Sequence, residues 1–207
     1  MIIKTCVVGF VSTNCYIIHQ EDQTQCIVID PGEVTFELHQ YLQQSNLTIA
    51  AILLTHGHFD HITGVPALTA DNTIPVYAYE AEQQLLGDAY MNASKPYRNP
   101  ITLDQCRLVK DKELLSVAGL QIQVIHTPGH TVGSCCYYIK DEGVLFTGDT
   151  LFAGEVGRTD LPTGDYSMLL HSLREVLLHM SDDIIVYPGH DRSTTIGYEK
   201  SNNPYRA

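Results

Sequence analysis

The sequence predicts an α+β protein in which two mixed sheets pack together with helices outside them. Three observations lead there. Short segments rich in Ile and Val occur in both halves of the chain. Stretches with a helical apolar period separate some of them. One run, 49–54, is apolar at every position, the pattern of a strand covered on both faces.

Residues 2–8, 15–19 and 25–29 read as strands. Asp30-Pro31-Gly32 is a turn that stops the third. Over 33–45, Phe36, Leu38, Tyr41 and Leu42 fall on roughly one face of a helix. Residues 63–68 start a short helix, 75–79 form a strand and 80–86 a helix. Residues 87–104, with Pro96, Asn99 and Pro100, read as a loop of a length that often carries function. Strands follow at 120–125, 134–139 and 144–147. Asp165 is a good N-cap for a helix running to about Met180, with Met168, Leu169, Leu173, Val176 and Leu177 inward. The last strand is 184–187.

A chain of 207 residues, 44% hydrophobic, can bury one sizeable core. No break in composition marks a linker, so 1–207 is expected to be a single domain. Twelve Lys and Arg stand against 24 Asp and Glu, a formal charge of −12. Nucleic-acid affinity comes mainly from neutralising phosphates, so no nucleic-acid partner is expected. The N-terminus does not read as a signal peptide, and the longest apolar run is far too short for a bilayer. A cytoplasmic protein without membrane contact is the expectation. The six cysteines show no Cys-x-x-Cys spacing and read as buried structural thiols. Cys135 and Cys136, neighbours in a strand, should face opposite ways.

The chemistry is concentrated in Thr55-His56-Gly57-His58-Phe59-Asp60-His61, directly after the buried run. Imidazole nitrogen and carboxylate oxygen are zinc ligands. Three further candidates fall just after strands: His130 in Pro128-Gly129-His130, Asp149 in Gly148-Asp149 and His190 in Pro188-Gly189-His190. Pro-Gly turns give a tight path that projects the next side chain. The remaining histidines are plainer. Pro128 forbids a helical pairing of His126 with His130, so His126 is expected to be structural. His19, His39, His171 and His179 are expected to be solvated.

Together, Thr55 to His61, Pro128-Gly129-His130-Thr131, Gly148-Asp149-Thr150 and Pro188-Gly189-His190 resemble the metallo-β-lactamase superfamily, over essentially the whole chain. The resemblance implies an αββα sandwich with metals at one edge of the sheets. Within the superfamily the chain is most similar to short bacterial members of the glyoxalase II group, on Gly148-Asp149-Thr150-Leu151-Phe152, Gly157-Arg158-Thr159-Asp160 and Asn203-Pro204-Tyr205. By position, the resemblance implies one metal on His56, His58 and His130, and a second on Asp60, His61 and His190. Asp149 would bridge them. Thr63 departs from a frequent glycine, with only a local packing effect expected. Full-length glyoxalase II enzymes add a C-terminal helical domain that helps hold glutathione, whereas 17 residues follow His190 here. The resemblance therefore leaves the thiol open.

The implied activity is hydrolysis of a small thioester or ester by a hydroxide bridging two zinc ions, with iron or manganese as alternatives. Asp60 would orient the nucleophile as well as bind metal. Arg158 is a candidate for holding substrate, and equally for an ordinary ion pair. Self-association is open, since a partner subunit would help to close the cleft. The Gly157 to Asp160 run also resembles persulfide dioxygenases of the same superfamily, which use a single iron. A nuclease is disfavoured by the charge.

Overall fold

The computed structural model describes residues 1–70, 74–97 and 100–207. Six strands form a first sheet in chain order: β1 (Ile2–Val8), β2 (Thr13–His19), β3 (Gln25–Ile29), β4 (Thr48–Leu53), β5 (Val76–Tyr79) and β6 (Arg107–Val109). β1 to β3 pair antiparallel and β3 to β6 parallel, so the sheet is mixed. The later strands are β7 (Leu114–Val117), β8 (Leu120–His126), β9 (Cys135–Ile139), β10 (Val144–Gly148), a small hairpin of β11 (Leu151–Phe152) and β12 (Glu155–Val156), then β13 (Ile185–Pro188) and β14 (Thr194–Thr195). The second sheet has the order β14-β13-β10-β9-β8-β7, parallel only between β10 and β13.

The alternation of side chains creates the layers. Ile18, Ile27, Ile29 and Leu53 meet Ile122, Val124, Tyr137 and Phe146 between the sheets. Their chain neighbours Ile17, Val28, Ile52 and Leu54 face the other way, onto a second core beneath helix α1 (Phe36–Gln44), where Leu38 is buried. Leu145, Val186 and Cys136 face a third core with Leu173, Leu177 and Ile196. The apolar run at 49–54 is therefore apolar because β4 has protein on both sides, and Cys135 and Cys136 do point to opposite faces. The result is the αββα sandwich that the resemblance implies. Among the described residues no helix is long and apolar enough to cross a membrane.

Several expectations need correction. The short helix expected at 63–68 is the single turn α3 (Val65–Leu68), and a further one-turn helix, α2 (Phe59–Ile62), precedes it where none was expected. Residues 80–86 divide into a 3-10 turn, Glu80–Glu82, and α4 (Gln83–Leu86). Asp165 does cap its helix, accepting from Met168 N at 2.9 Å, but α5 (Tyr166–His171) widens into a π-helical turn at Ser172–Val176. Met168, expected inward, is 43% exposed, while Leu169, Leu173 and Leu177 are buried. His19, expected in solvent, is buried beneath α1, with Nε2 against the Tyr41 hydroxyl at 2.9 Å. His39, His171 and His179 are exposed, as expected. β6, β7, β14 and α6 (Ile196–Asn202) were not foreseen. The β7–β8 turn has both central residues at positive φ, Ala118 at 48° and Gly119 at 75°, and an alanine there conceals the hairpin. The loop at 87–104 contains one 3-10 turn, Lys95–Tyr97, while Asn99 lies outside the described residues.

Phe146 is fully buried between the sheets, 5.1 Å from the Tyr16 ring and 5.3 Å from that of Tyr187. Phe146→Ala should cost about 3–5 kcal/mol of stability in denaturant unfolding. A loss below about 1 kcal/mol would show that this layer is not the principal core.

Candidate metal centre

The turns that carry the candidate residues leave the C-terminal ends of β4, β8, β10 and β13. β10 and β13 are parallel, and β8 and β10 both run antiparallel to β9, so three of these ends lie on one edge of the second sheet. Hydrogen bonds across the sandwich bring the β4 end to the same edge. Cys135 N donates to Thr55 O at 2.9 Å, and Tyr137 Oη to Leu54 O at 2.9 Å. From β2, Asn14 N donates to Gly189 O at 2.7 Å, and Tyr16 Oη to Pro188 O at 2.6 Å. The approach is close enough to require glycine. A Cβ on Gly148, where φ is +50°, would lie 2.2 Å from Thr55 Oγ1.

All seven candidate ligands converge at this edge, in three overlapping groups: His56, His58 and His130; His56, His61 and Asp149; Asp60, His61 and His190. His130 Nε2 lies 3.2 Å from His56 Nε2 and 2.9 Å from His58 Nδ1. Nitrogens on one tetrahedral zinc ion lie about 3.3 Å apart. Asp60 Oδ2 lies 3.4 Å from His61 Nε2 and 3.3 Å from His190 Nε2. Asp149 sits between the groups, with Oδ1 3.4 Å from His61 Nε2 and Oδ2 3.5 Å from His130 Nε2. Buried His61 Nε2 and Asp149 Oδ1 have no hydrogen-bond partner. Buried polar atoms are normally satisfied. Orphaned nitrogen and oxygen facing one another across this gap, beside a knot of imidazole nitrogens, fit a bound metal ion in place of water or an apolar filler. His58 Nε2, that ring's other nitrogen, is also buried without a partner.

The nitrogens turned away from the centre are mostly anchored, which fixes each tautomer. His130 Nδ1 donates to Arg158 O at 2.7 Å and His190 Nδ1 to Ser12 O at 3.4 Å. Asp30 is a residue the sequence did not disclose. It is 2% exposed, accepts from Thr55 N and from His61 Nδ1 at 2.8 and 2.9 Å, and takes the Thr55 hydroxyl at 2.6 Å. That hydroxyl is in turn 3.2 Å from His56 Nδ1, so one carboxylate steadies two imidazoles. Asp30 read as a turn residue. Its only signal is an acid ending an apolar strand, with φ at +50°. Thr13 Oγ1 similarly donates to Asp60 Oδ2 at 2.9 Å.

A cavity of about 200 Å³ opens over the cluster, lined by His58, Asp60, His130, Asp149, His190 and Arg158 among others. The Arg158 guanidinium is exposed and holds Asp160 through two 2.7 Å hydrogen bonds, which keep the Asp160 carboxyl down at about 2. A neighbouring pocket of about 370 Å³ shares Val11, Phe59 and Asp60 with it and adds Phe10. His126 is not among the grouped ligands. Its ring stacks on Tyr79 at 4.0 Å, and Nε2 reaches Val132 O at 3.0 Å, a structural role as expected. Thr63 Oγ1 donates to Phe59 O at 2.5 Å, a local contact within the ligand turn.

Electrostatics divides the cluster. Burial pushes His56 well below its ordinary value, His58 to about 3 and His130 down, all toward the neutral imidazole a metal requires. Burial would also lower His61, but Asp60, Asp149 and Asp30 outweigh it and raise that ring. For His190, burial is outweighed chiefly by its hydrogen bond to Asp60. Burial would raise the Asp60 carboxyl, yet His61 and His190 hold it at about 2. With metal removed, Asp60 adds stability that is present above 3.8 and lost as pH falls towards about 2. His61 and His190 add stability that is present below 6.5 and lost as pH rises through their raised values. His56, His58 and His130, lowered by burial, instead lose stability as pH falls below 6.5, so thermal melts of chelator-treated protein should fall on the acid side of neutrality, and on the alkaline side by an amount that is reduced in His190→Gln. Metal-free melts that climb steadily into the alkaline range would contradict this balance.

Comparison with known proteins gives the family. The family model described as the metallo-beta-lactamase superfamily covers residues 8–190 and so ends on the last ligand turn. The chain is 36% identical to a probable metallo-hydrolase, YqgX, of Bacillus subtilis (96% of this chain, 94% of the relative). It is 34% identical to the hydroxyacylglutathione hydrolase GloC of Haemophilus influenzae (93% and 92%). Among solved structures, the BLEG-1 B3 metallo-beta-lactamase superposes with a TM-score of 0.92 at 38% identity, covering 100% of both chains. TTHA1623 in a di-iron-bound form gives 0.87 at 33% identity (98% and 99%). ETHE1 from Myxococcus xanthus gives 0.77 at 32% identity (99% and 84%). With its sandwich and these relatives in agreement, the chain belongs to the metallo-beta-lactamase superfamily of metallo-hydrolases.

Proposed function

We propose that the protein hydrolyses small thioesters with two zinc ions. The observation that carries this is the pair of three-residue groups joined by Asp149 at the floor of one cavity. His56, His58 and His130 would hold one ion and Asp60, His61 and His190 the other. Bound ions of this kind lower the pKa of water towards about 7 and polarise a carbonyl oxygen. Asp60, ionised at all neutral pH and pinned by Thr13, is placed to accept a hydrogen bond from the attacking water. Arg158, at the cavity mouth, orients the substrate, with Asp160 holding its guanidinium.

The leaving group follows from the same lining. Asp60 and Asp149 are held in their ionised forms, and the lining imidazoles belong to the ligand set. Among the described residues the cavity thus offers no carboxylic acid to protonate a leaving group. A thiolate needs none, whereas an amine does. Similarity to GloC, a hydroxyacylglutathione hydrolase by name, supports the thioester. We further read residues 1–207 as one domain, because a single core joins both sheets. The free, mostly buried cysteines suit a reducing cytoplasm. The charge of −12 argues against a nucleic-acid substrate.

One observation favours a second reading. The chain is 32% identical to ETHE1, and the Gly157 to Asp160 run resembles persulfide dioxygenases, which use a single iron. Metal content separates the two. We expect about two zinc ions per chain by elemental analysis, and one iron with negligible zinc would overturn the hydrolase reading. Asp149→Asn should deplete both ions, while His126→Ala should retain them. If the reverse holds, the ligand assignment is wrong. Steady-state kinetics should show kcat/KM for lactoylglutathione within roughly a thousandfold (about 4 kcal/mol) of that for the same acyl group on a smaller thiol. A larger preference would reveal a dedicated glutathione site.

A further inference from the structure

Glu82 is fully buried, in the 3-10 turn that follows β5, and it is not among the grouped ligands. Its carboxylate nevertheless touches both turns that supply the three-histidine group. Oε1 accepts from Gly57 N at 2.8 Å, and Gly57 stands between His56 and His58. Oε2 accepts from Thr131 Oγ1 at 3.0 Å, and Thr131 directly follows His130. Gly133 N also donates to it. There is no slack in the arrangement, since a Cβ on Gly133 would lie 2.3 Å from Oε2.

The donors explain why the residue is an acid. Thr131 N donates to Ser134 Oγ at 3.0 Å, and the two hydroxyls lie 2.7 Å apart, so Ser134 can donate to Thr131 while Thr131 donates to Glu82. Glu82 is then approached only by donors, and a carboxylate presents acceptor positions on both oxygens. A glutamine would turn an NH2 group towards one of those donors. Burial still pushes the Glu82 carboxyl up to about 7, so these donors offset only part of its desolvation, and a residue serving stability alone gains little from such a buried acid, because an apolar or neutral side chain commonly serves as well or better.

We propose that Glu82 is a positioning residue: it clamps the Gly57 and Thr131 turns together and so sets the spacing of His56, His58 and His130 for metal. This rests on the reading of that trio as a metal site. Asp60, His61 and His190 have no bond to Glu82, so the effect is confined to one half of the centre.

The test is titration of metal-free protein with Co2+ and Zn2+ against a chelator, following Co2+ absorption to distinguish the two sites. Glu82→Gln should weaken the three-histidine site about 10- to 100-fold and leave the other site within about threefold. Thr131→Val, which removes one arm of the clamp, should weaken the same site by a smaller factor, and Thr131→Ser should restore it. If Glu82→Gln does not fold, the Thr131 pair decides the matter. A general loss of stability would lower both sites together and would overturn the proposal, as would unchanged affinity in either variant. Wild-type protein that binds neither ion would instead refute the metal-centre reading itself.

Discussion

Hydrogen bonds joining the two sheets along one edge of the sandwich hold the rest of the site in place. The candidate ligands come from turns on both sheets, and apolar packing alone would let those sheets slide. Cys135 and Tyr137 of β9 grip the carbonyls of Thr55 and Leu54, while Asn14 and Tyr16 of β2 grip the loop before His190. Such bonds are directional, so they fix a register that the hydrophobic layer does not. Glycine at 148 permits the contact, since any side chain there would strike Thr55.

The site then collects buried charge at that seam. A buried carboxylate is costly unless donors surround it. Asp30 and Glu82 are met by backbone and hydroxyl donors, and each is thereby bonded to a turn that carries candidate ligands. Asp60 and Asp149 are met by imidazoles. Burial lowers the three-histidine group towards the neutral imidazole, while neighbouring acids raise His61 and His190 towards holding a proton. Metal ions would take over the role of those protons, which is why a single cluster can be both tightly packed and reactive.

Away from the seam the fold is more permissive, and there the sequence was hardest to read. The helix after Asp165 has good helical residues throughout, yet a π-turn re-aims it so that Leu173 and Leu177 meet the second sheet and Met168 does not. Ala118 in a left-handed turn hides the β7–β8 hairpin. His19 lies on a strand that reads as half-exposed until α1 covers it. The burial of His19 was decided by a neighbour 22 positions away.

The sequence by itself determined the two-sheet architecture and the seven candidate ligands. Both are written locally: apolar alternation marks strands, and imidazoles and carboxylates immediately after strands mark the turns that project them. It did not determine which second carboxylates serve those ligands. Asp30 read as a turn former, and Glu82 only fell within the stretch 80–86 read as a helix. Only the packing of β3 against β4, and of the turn after β5 against the turns at Gly57 and Thr131, places their oxygens within hydrogen-bond reach. What such a buried acid does depends on what surrounds it, and those surroundings are assembled from residues 25 to 51 positions away along the chain.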